Sequence, residues 1–176
     1  MKSKRNAPNE VRLRTDRFER VERLAVFEIA NFVLMAHLKL QGVFALRPEE
    51  FQVFCLIALA TVQRHVRAAR VGSDLVDKTP LPAELAGWIS RRRISETLGI
   101  PLETVRRHVA SLISRNLVVE RGRGRISTPG GTLARIAEDG TDLFLARQHT
   151  RVSNALLRMN VLAFGPAPKN ACHPQD

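Results

Sequence analysis

The stretch from Ser90 to Ser127 constrains this chain more than any other. Apolar residues recur at Ile94 and Leu98, then at Val105, Val109, Leu112 and Ile113, with Ile100 between the two groups. Spacings of three and four within each group belong to helices rather than strands. Gly99 falls where the first helix must stop, and glycine accepts the left-handed backbone that a helix C-terminus often needs. Pro101 has a fixed φ suited to the first position of a second helix. Leu117, Val118 and Val119 then open an apolar run, and Arg121-Gly-Arg-Gly-Arg125 reads as the turn of a short β-hairpin. The stretch therefore predicts two short helices joined by a tight turn and followed by a hairpin.

That order is a helix-turn-helix with a wing. The run Ile94-Ser-Glu-Thr-Leu-Gly-Ile-Pro-Leu-Glu-Thr-Val-Arg-Arg-His-Val, followed by Leu112 and Asn116-Leu-Val, resembles the winged helix-turn-helix of bacterial transcription regulators. The MarR, GntR and IclR groups share its features: an apolar helix, a glycine plus an aliphatic, a Thr-Val-x-Arg helix and a hairpin. The likeness covers this stretch and neither flank, and it does not separate the groups. The chain departs from them at Pro101, where Ser or Thr is common, and at Leu102, where many carry a polar residue. The resemblance implies a mainly α fold with a small β-hairpin wing. It also implies a DNA-binding role in which Thr104, Arg106 and Arg107 read bases or phosphates.

The residues themselves agree with such a role. Plotted at 100° per residue, Leu102, Val105, Val109, Leu112 and Ile113 make one apolar face, predicted to be buried. Glu103, Thr104, Arg107, Ser111 and Ser114 point away from it, with Arg106 on the flank. A helix fits the major groove, where arginine donates twice to guanine and threonine touches a thymine methyl. Glu103 either accepts from cytosine or favours the helix start electrostatically, and His108 is read as structural. In the wing, Arg121, Arg123 and Arg125 alternate with glycines and reach toward phosphates or the minor groove. Ser90 is read as the N-cap of the first helix. Arg91, Arg92 and Arg93 follow it, where that helix crosses the DNA backbone. With Leu102, Glu103 and Ser111 of the second helix included, these residues form the expected DNA contact set.

Charge supports a polyanionic partner. The chain of 176 residues carries a formal net charge of +11. Nine arginines and three glutamates lie between Arg91 and Arg125, a net +6 in about a fifth of the chain. Such an excess suits nucleic acid or an acidic membrane surface. Arginine outnumbers lysine 23 to 5, which a GC-rich genome would explain equally well, but codon bias does not explain where the charge lies.

Other functions find few residues. Cys55 lies in an apolar run and Cys172 in a polar tail, which suits a reducing cytoplasm rather than a disulfide framework. The basic N-terminus lacks the apolar core of a signal peptide. The longest uninterrupted apolar run, Val53 to Ala60, falls short of the ~20 residues that span a bilayer, so no membrane association is expected. Walker, G-x-G-x-x-G and G-x-S-x-G signatures are absent from the sequence. His37, His65, His108, His149 and His173 share no ligand spacing with each other or with the cysteines. No catalytic residue, metal or cofactor is therefore expected.

The flanks suggest assembly. Residues 1–15 read as a disordered basic arm, either solvated or touching phosphates. Within the 16–48 segment, Asp16 to Leu40 predicts a long helix capped by Asp16 with Glu19, and ended by Gln41-Gly42. Its stripe of Phe18, Val21, Ala25, Ile29, Phe32, Val33 and Ala36 widens until the second half is apolar almost all round. Such a helix needs cover on more than one side, most simply from a second copy. The winged domain is placed at 49–131, with Arg47-Pro48-Glu49-Glu50 opening a helix to about Arg70. Basic Arg64, Arg67 and Arg70 end that helix, and 71–87 is a long connection before a short strand at Trp88-Ile89. C-terminal helices fill 132–165, a short one over Thr132–Asp139 and a final one from Thr141 or Asp142 to about Leu162. Residues 166–176 form a tail. The first and last helices are expected to build a two-fold dimer that presents two recognition helices about 34 Å apart to successive major grooves.

Two function classes stay open at this point. The first is a homodimeric, sequence-specific double-stranded DNA-binding regulator. The second is a winged-helix module for protein or RNA interaction. A small-molecule effector is compatible with either, although no residue indicates one.

Overall fold

The computed structural model describes residues 10–69, 86–122 and 124–165. The expectations above for residues 1–9, 70–85, Arg123 and 166–176 lie outside the described residues, as do those for the side chains of Arg64, His65 and Arg67. The chain divides into two compact units, residues 38–142 and residues 1–37 together with 143–176. Helices dominate the described residues, beside two antiparallel two-stranded sheets. A mainly α chain with a small hairpin is what the sequence predicted.

In the unit of residues 38–142, α2 (Pro48–Ala69) carries the long apolar side, with Glu49 and Glu50 in its first turn where the helix dipole favours acids. Helix α3 (Arg91–Leu98) starts at Ser90, whose hydroxyl accepts from the Arg93 N–H at 3.2 Å, and stops at Gly99 with φ 67°. Helix α4 (Leu102–Ser114) follows Pro101, which is the N-cap residue rather than the first helical one. Its C-terminus closes with two bonds, Leu117 N–H to Leu112 O at 3.0 Å and Asn116 N–H to Ile113 O at 2.9 Å. Asn116 takes φ 55°, and the pair of bonds is a Schellman cap. That cap turns Leu117 back beside Leu112, and both are buried in the core.

The hairpin follows directly. Strands β2 (Val119–Arg121) and β3 (Arg125–Ser127) pair antiparallel, with Val119 opposite Ser127 and Arg121 opposite Arg125. The strand expected at Trp88-Ile89 is a single bridge, Ile89 to Ile126, made by two backbone bonds of 2.9 and 3.0 Å. Helix α4 packs on α2 and α3. Phe54, Ile57, Ile94, Val105, Val109, Leu112 and Ile126 form the core, all nearly or fully buried. A short helix, α5 (Ala134–Glu138), comes after the hairpin and ends before Gly140, whose φ is 68°.

Helix α1 (Thr15–Phe44) corrects two expectations about the chain's first helix. It begins at Thr15, so Asp16 lies inside the first turn and does not cap it; the Arg14 carbonyl accepts from Arg17 and Phe18 instead. It also runs past Gly42 to Phe44, and ends where Ala45 adopts φ 48°. The Arg115 guanidinium donates to the Phe44 carbonyl at 2.7 Å and the Ala45 carbonyl at 3.3 Å. A cation on those orphaned carbonyls favours a terminus at that point.

The second unit shows two further departures. Residues 10–13 do not belong to a disordered arm: β1 (Glu10–Leu13) pairs antiparallel with β4 (Leu162–Gly165). The final helix, α6 (Thr141–Arg158), stops short of Leu162 because Asn160 turns left-handed at φ 57° and releases the chain into β4. Each of these strands has four residues, too few to show a period in sequence. The small core here joins Ala25, Leu156 and Val161, with Phe18, Val21, Val152 and Met159 against it. Of the stripe expected to be buried on α1, Ile29 and Val33 are exposed. Helix α1 is also long and apolar enough to cross a membrane by length and composition, which counting only uninterrupted apolar residues had missed.

Gly87 shows how closely the segment before α3 approaches α2. Its N–H donates to the Thr61 carbonyl at 2.8 Å, and a Cβ there would collide with the Ala60 carbonyl oxygen. Gly87→Ala is expected to destabilise the protein by roughly 1–3 kcal/mol, the usual cost of forced overpacking. Urea denaturation of the full chain checks this, and an unchanged midpoint would contradict the close approach.

Candidate nucleic-acid interface

Burial of one face of α4 decides what the other presents. The buried residues are Val105, His108, Val109 and Leu112, spaced three, one and three. Leu102, expected on this face, is 37 % exposed, since the inclusion of His108 centres the inward face of the helix away from it. His108 is only 4 % exposed, and its Nε2 lies 2.8 Å from a Glu49 carboxylate oxygen. The structural reading of His108 therefore fits its place between α4 and α2. Ser111, expected to point outward, instead donates its hydroxyl to Glu50 at 2.5 Å. Glu50 is itself buried, so this bond satisfies one oxygen of a carboxylate that would otherwise be costly to bury.

The outward face of α4 then consists of Glu103, Arg106, Arg107, Ala110 and Ser114, with Thr104 half-buried. Arg106 reaches back to Glu103 at 3.0 Å, three residues away and well exposed. Such a surface pair is worth little and exchanges readily. Arg107 is exposed and has no ion-pair partner among the described residues.

The arginines that open α3 differ from one another. Arg91 grips Glu120 of β2 through both guanidinium ends, at 2.6 and 2.7 Å. It is therefore held against the hairpin, whereas the sequence had placed it as a phosphate contact. Arg92 and Arg93 share Glu96, at 2.9 and 3.8 Å, and stay largely exposed. An open groove of about 660 Å³ beside Arg93 is otherwise lined mainly by apolar residues, including Leu56, Leu59, Val62, Val66 and Ile89. Ser90 is used as the helix cap.

In the hairpin, Arg121 and Arg125 are cross-strand partners. Like charges directly opposite each other disfavour the pairing. Arg125 offsets this by lying over the Trp88 ring, 4.9 Å from its centroid. Sequence reading missed this stack. A lone tryptophan preceding an arginine-rich hairpin was the available signal, since arginine favours the face of tryptophan. Trp88 remains 55 % exposed beneath its partner. Sequence reading also missed Glu120 and Arg115, whose partners lie 29 and some 70 positions away.

Known proteins offer no guide. The chain matches no family model, no curated protein and no solved structure. What it does must be argued from its own residues. Among those described, no group of three His, Cys, Asp or Glu is placed to hold a metal ion. Burial pushes the Cys55 thiol up to about 11, which leaves it protonated and weakly nucleophilic at neutral pH.

The Arg91 fork holds the Glu120 carboxyl below its ordinary value, chiefly through its hydrogen bonds. A carboxylate with a lowered folded value adds stability above its unfolded value. That stability is lost as pH falls through the folded value. Glu120→Gln is therefore expected to cost up to roughly 1 kcal/mol at neutral pH, as for a solvent-accessible pair, and nothing at a pH where Glu120 is already protonated. Thermal denaturation of both proteins at pH 7 and in acid tests this. An equal deficit at both would mean that the ion pair is not its source.

Proposed function

We propose that this chain is a homodimeric transcription regulator that binds double-stranded DNA through a winged helix-turn-helix. The observation that carries the reading is an outward basic face on α4 followed directly by a basic hairpin in the same compact unit. Helix α4 buries Val105, Val109 and Leu112 and turns Arg106 and Arg107 outward. The adjoining hairpin sets Arg121 opposite Arg125 with no acid between them. A phosphate backbone would neutralise that repulsion, and releasing its counterions would favour association.

On this reading α4 enters the major groove, where Arg107, Arg106 and Thr104 face base edges or phosphates. Arg121 and Arg92 meet the backbone. Arg91 positions the hairpin through Glu120 rather than serving as a phosphate contact. Ser111 leaves the contact set, because Glu50 holds its hydroxyl. The two-fold arrangement presents two such helices to one side of a pseudo-palindromic site.

Mobility shift with duplex DNA over a range of salt concentrations tests the proposal. Arg121→Ala and Arg92→Ala should weaken binding to all sequences alike, and each should reduce the slope of log affinity against log salt by about one. Arg107→Ala should cost roughly 1–3 kcal/mol and relax the preference at one base position. Equal weakening across a panel of single-base variants would make Arg107 a phosphate contact. Tighter binding to single-stranded RNA than to any duplex would overturn the function itself.

A further inference from the structure

Helix α1 leaves a line of large apolar side chains without cover. Leu24, Phe27 and Leu34 are 54 %, 64 % and 55 % exposed, whereas Ala25 on the neighbouring face is fully buried. Plotted at 100° per residue, Leu24, Phe27, Asn31 and Leu34 fall on one stripe, at spacings of three, four and three. In the sequence, Leu38 continues the pattern four residues on. These are the a and d positions of two heptads, the seam along which helices pair as coiled coils.

Two polar features suit a second copy of this helix better than any other cover. Asn31 occupies an a position in the middle of the stripe, and a carboxamide there is self-complementary: one donates while its twin accepts. An asparagine at a single a position fixes register and strand number at some cost in stability. Arg23 and Glu28 flank the stripe at g and e. In a parallel pair, g of one heptad meets e of the next on the partner, so Arg23 faces Glu28 of the other copy. An antiparallel pair would set g against g and e against e, so Arg23 would not meet Glu28. A bilayer would also cover apolar residues, and α1 is long enough to cross one, but hydrocarbon solvates neither Asn31 nor Glu28. The smaller exposed strip of Val26, Ile29 and Val33 has no such polar centre.

We infer that α1 pairs with α1 of a second copy as a parallel, in-register two-stranded coiled coil, with Asn31 against Asn31. This deepens the homodimer reading above and rests on it, but not on DNA binding.

Oxidative cross-linking of the full chain, with Cys55→Ser and Cys172→Ser as background, tests the pairing without DNA. Leu24→Cys and Leu34→Cys should each form disulfide-linked dimers, since facing seam positions come within the ~7 Å that a disulfide can bridge. Val26→Cys, off the seam, should cross-link at least tenfold more slowly. In an antiparallel pair the two Leu24 positions would lie about 21 Å apart, by the rise of 1.5 Å per residue. By sedimentation at micromolar concentration the wild type should be a dimer and Leu34→Glu a monomer with unchanged helical circular dichroism. Asn31→Leu should give a mixture that includes larger species. Three results would each overturn the inference: a monomeric wild type, a dimer in which Leu24→Cys does not cross-link, or a wild type that floats with phosphatidylcholine–phosphatidylglycerol vesicles without dimerising. A cross-linked dimer that ignores duplex DNA would leave the pairing standing and remove only the DNA reading.

Discussion

Burial of Val105, Val109 and Leu112 against α2 and α3 is the contact on which the unit of residues 38–142 depends. Each of these side chains is fully buried, and burying one such side chain is worth roughly 1.5–3 kcal/mol. The energy is not directional, so it sets which face of α4 is inward and leaves the helix free to roll slightly. Two polar contacts remove that freedom. His108 and Ser111, three residues apart on α4, meet Glu49 and Glu50, which are adjacent in the first turn of α2. Hydrogen bonds in a buried interface have strict geometry and cost much when broken. They hold Arg106 and Arg107 in one outward direction.

The positive charge of this unit divides by partner. Arg115 closes the end of α1, Arg91 ties α3 to β2, and Arg125 rests on Trp88. Each of these is a building element before it is a ligand group. Arg92, Arg93 and Arg106 hold exposed carboxylates within a turn of their own helices, pairs weak enough for a phosphate to displace. Arg107 and Arg121 are exposed with no ion pair among the described residues. A net charge read from composition treats all of these alike, yet only part of it is available to a polyanion.

Three helices end in the same way, with a non-glycine residue turned left-handed: Ala45 after α1, Asn116 after α4 and Asn160 after α6. After each, the next residue's N–H bonds back to a carbonyl five residues earlier. Asparagine tolerates this conformation better than most residues. Ala45 lacks that advantage, and its position is held by Arg115 and by the Gln41 side chain, which donates to the Leu46 carbonyl at 2.8 Å.

Much of α3, α4 and the hairpin was legible in the sequence because every signal there is local. Ser90, Gly99 and the three-and-four spacing of Ile94, Val105, Val109 and Leu112 act within a few residues of themselves, so their order in the chain is enough to read them. The bounds of α1 and α6 and the pairing of β1 with β4 were not legible. They depend on Arg115 meeting a carbonyl some seventy residues away, and on four-residue strands brought together from the two ends of the described chain. The candidate interface divides in the same way. The sequence by itself determined which residues carry charge and which helix displays them, since periodicity sorts a helix into faces. Only the tertiary structure decided that Ser111, Arg91 and Arg125 are engaged and Arg107 is not, because hydrogen bonds and ion pairs depend on distances that chain order does not contain.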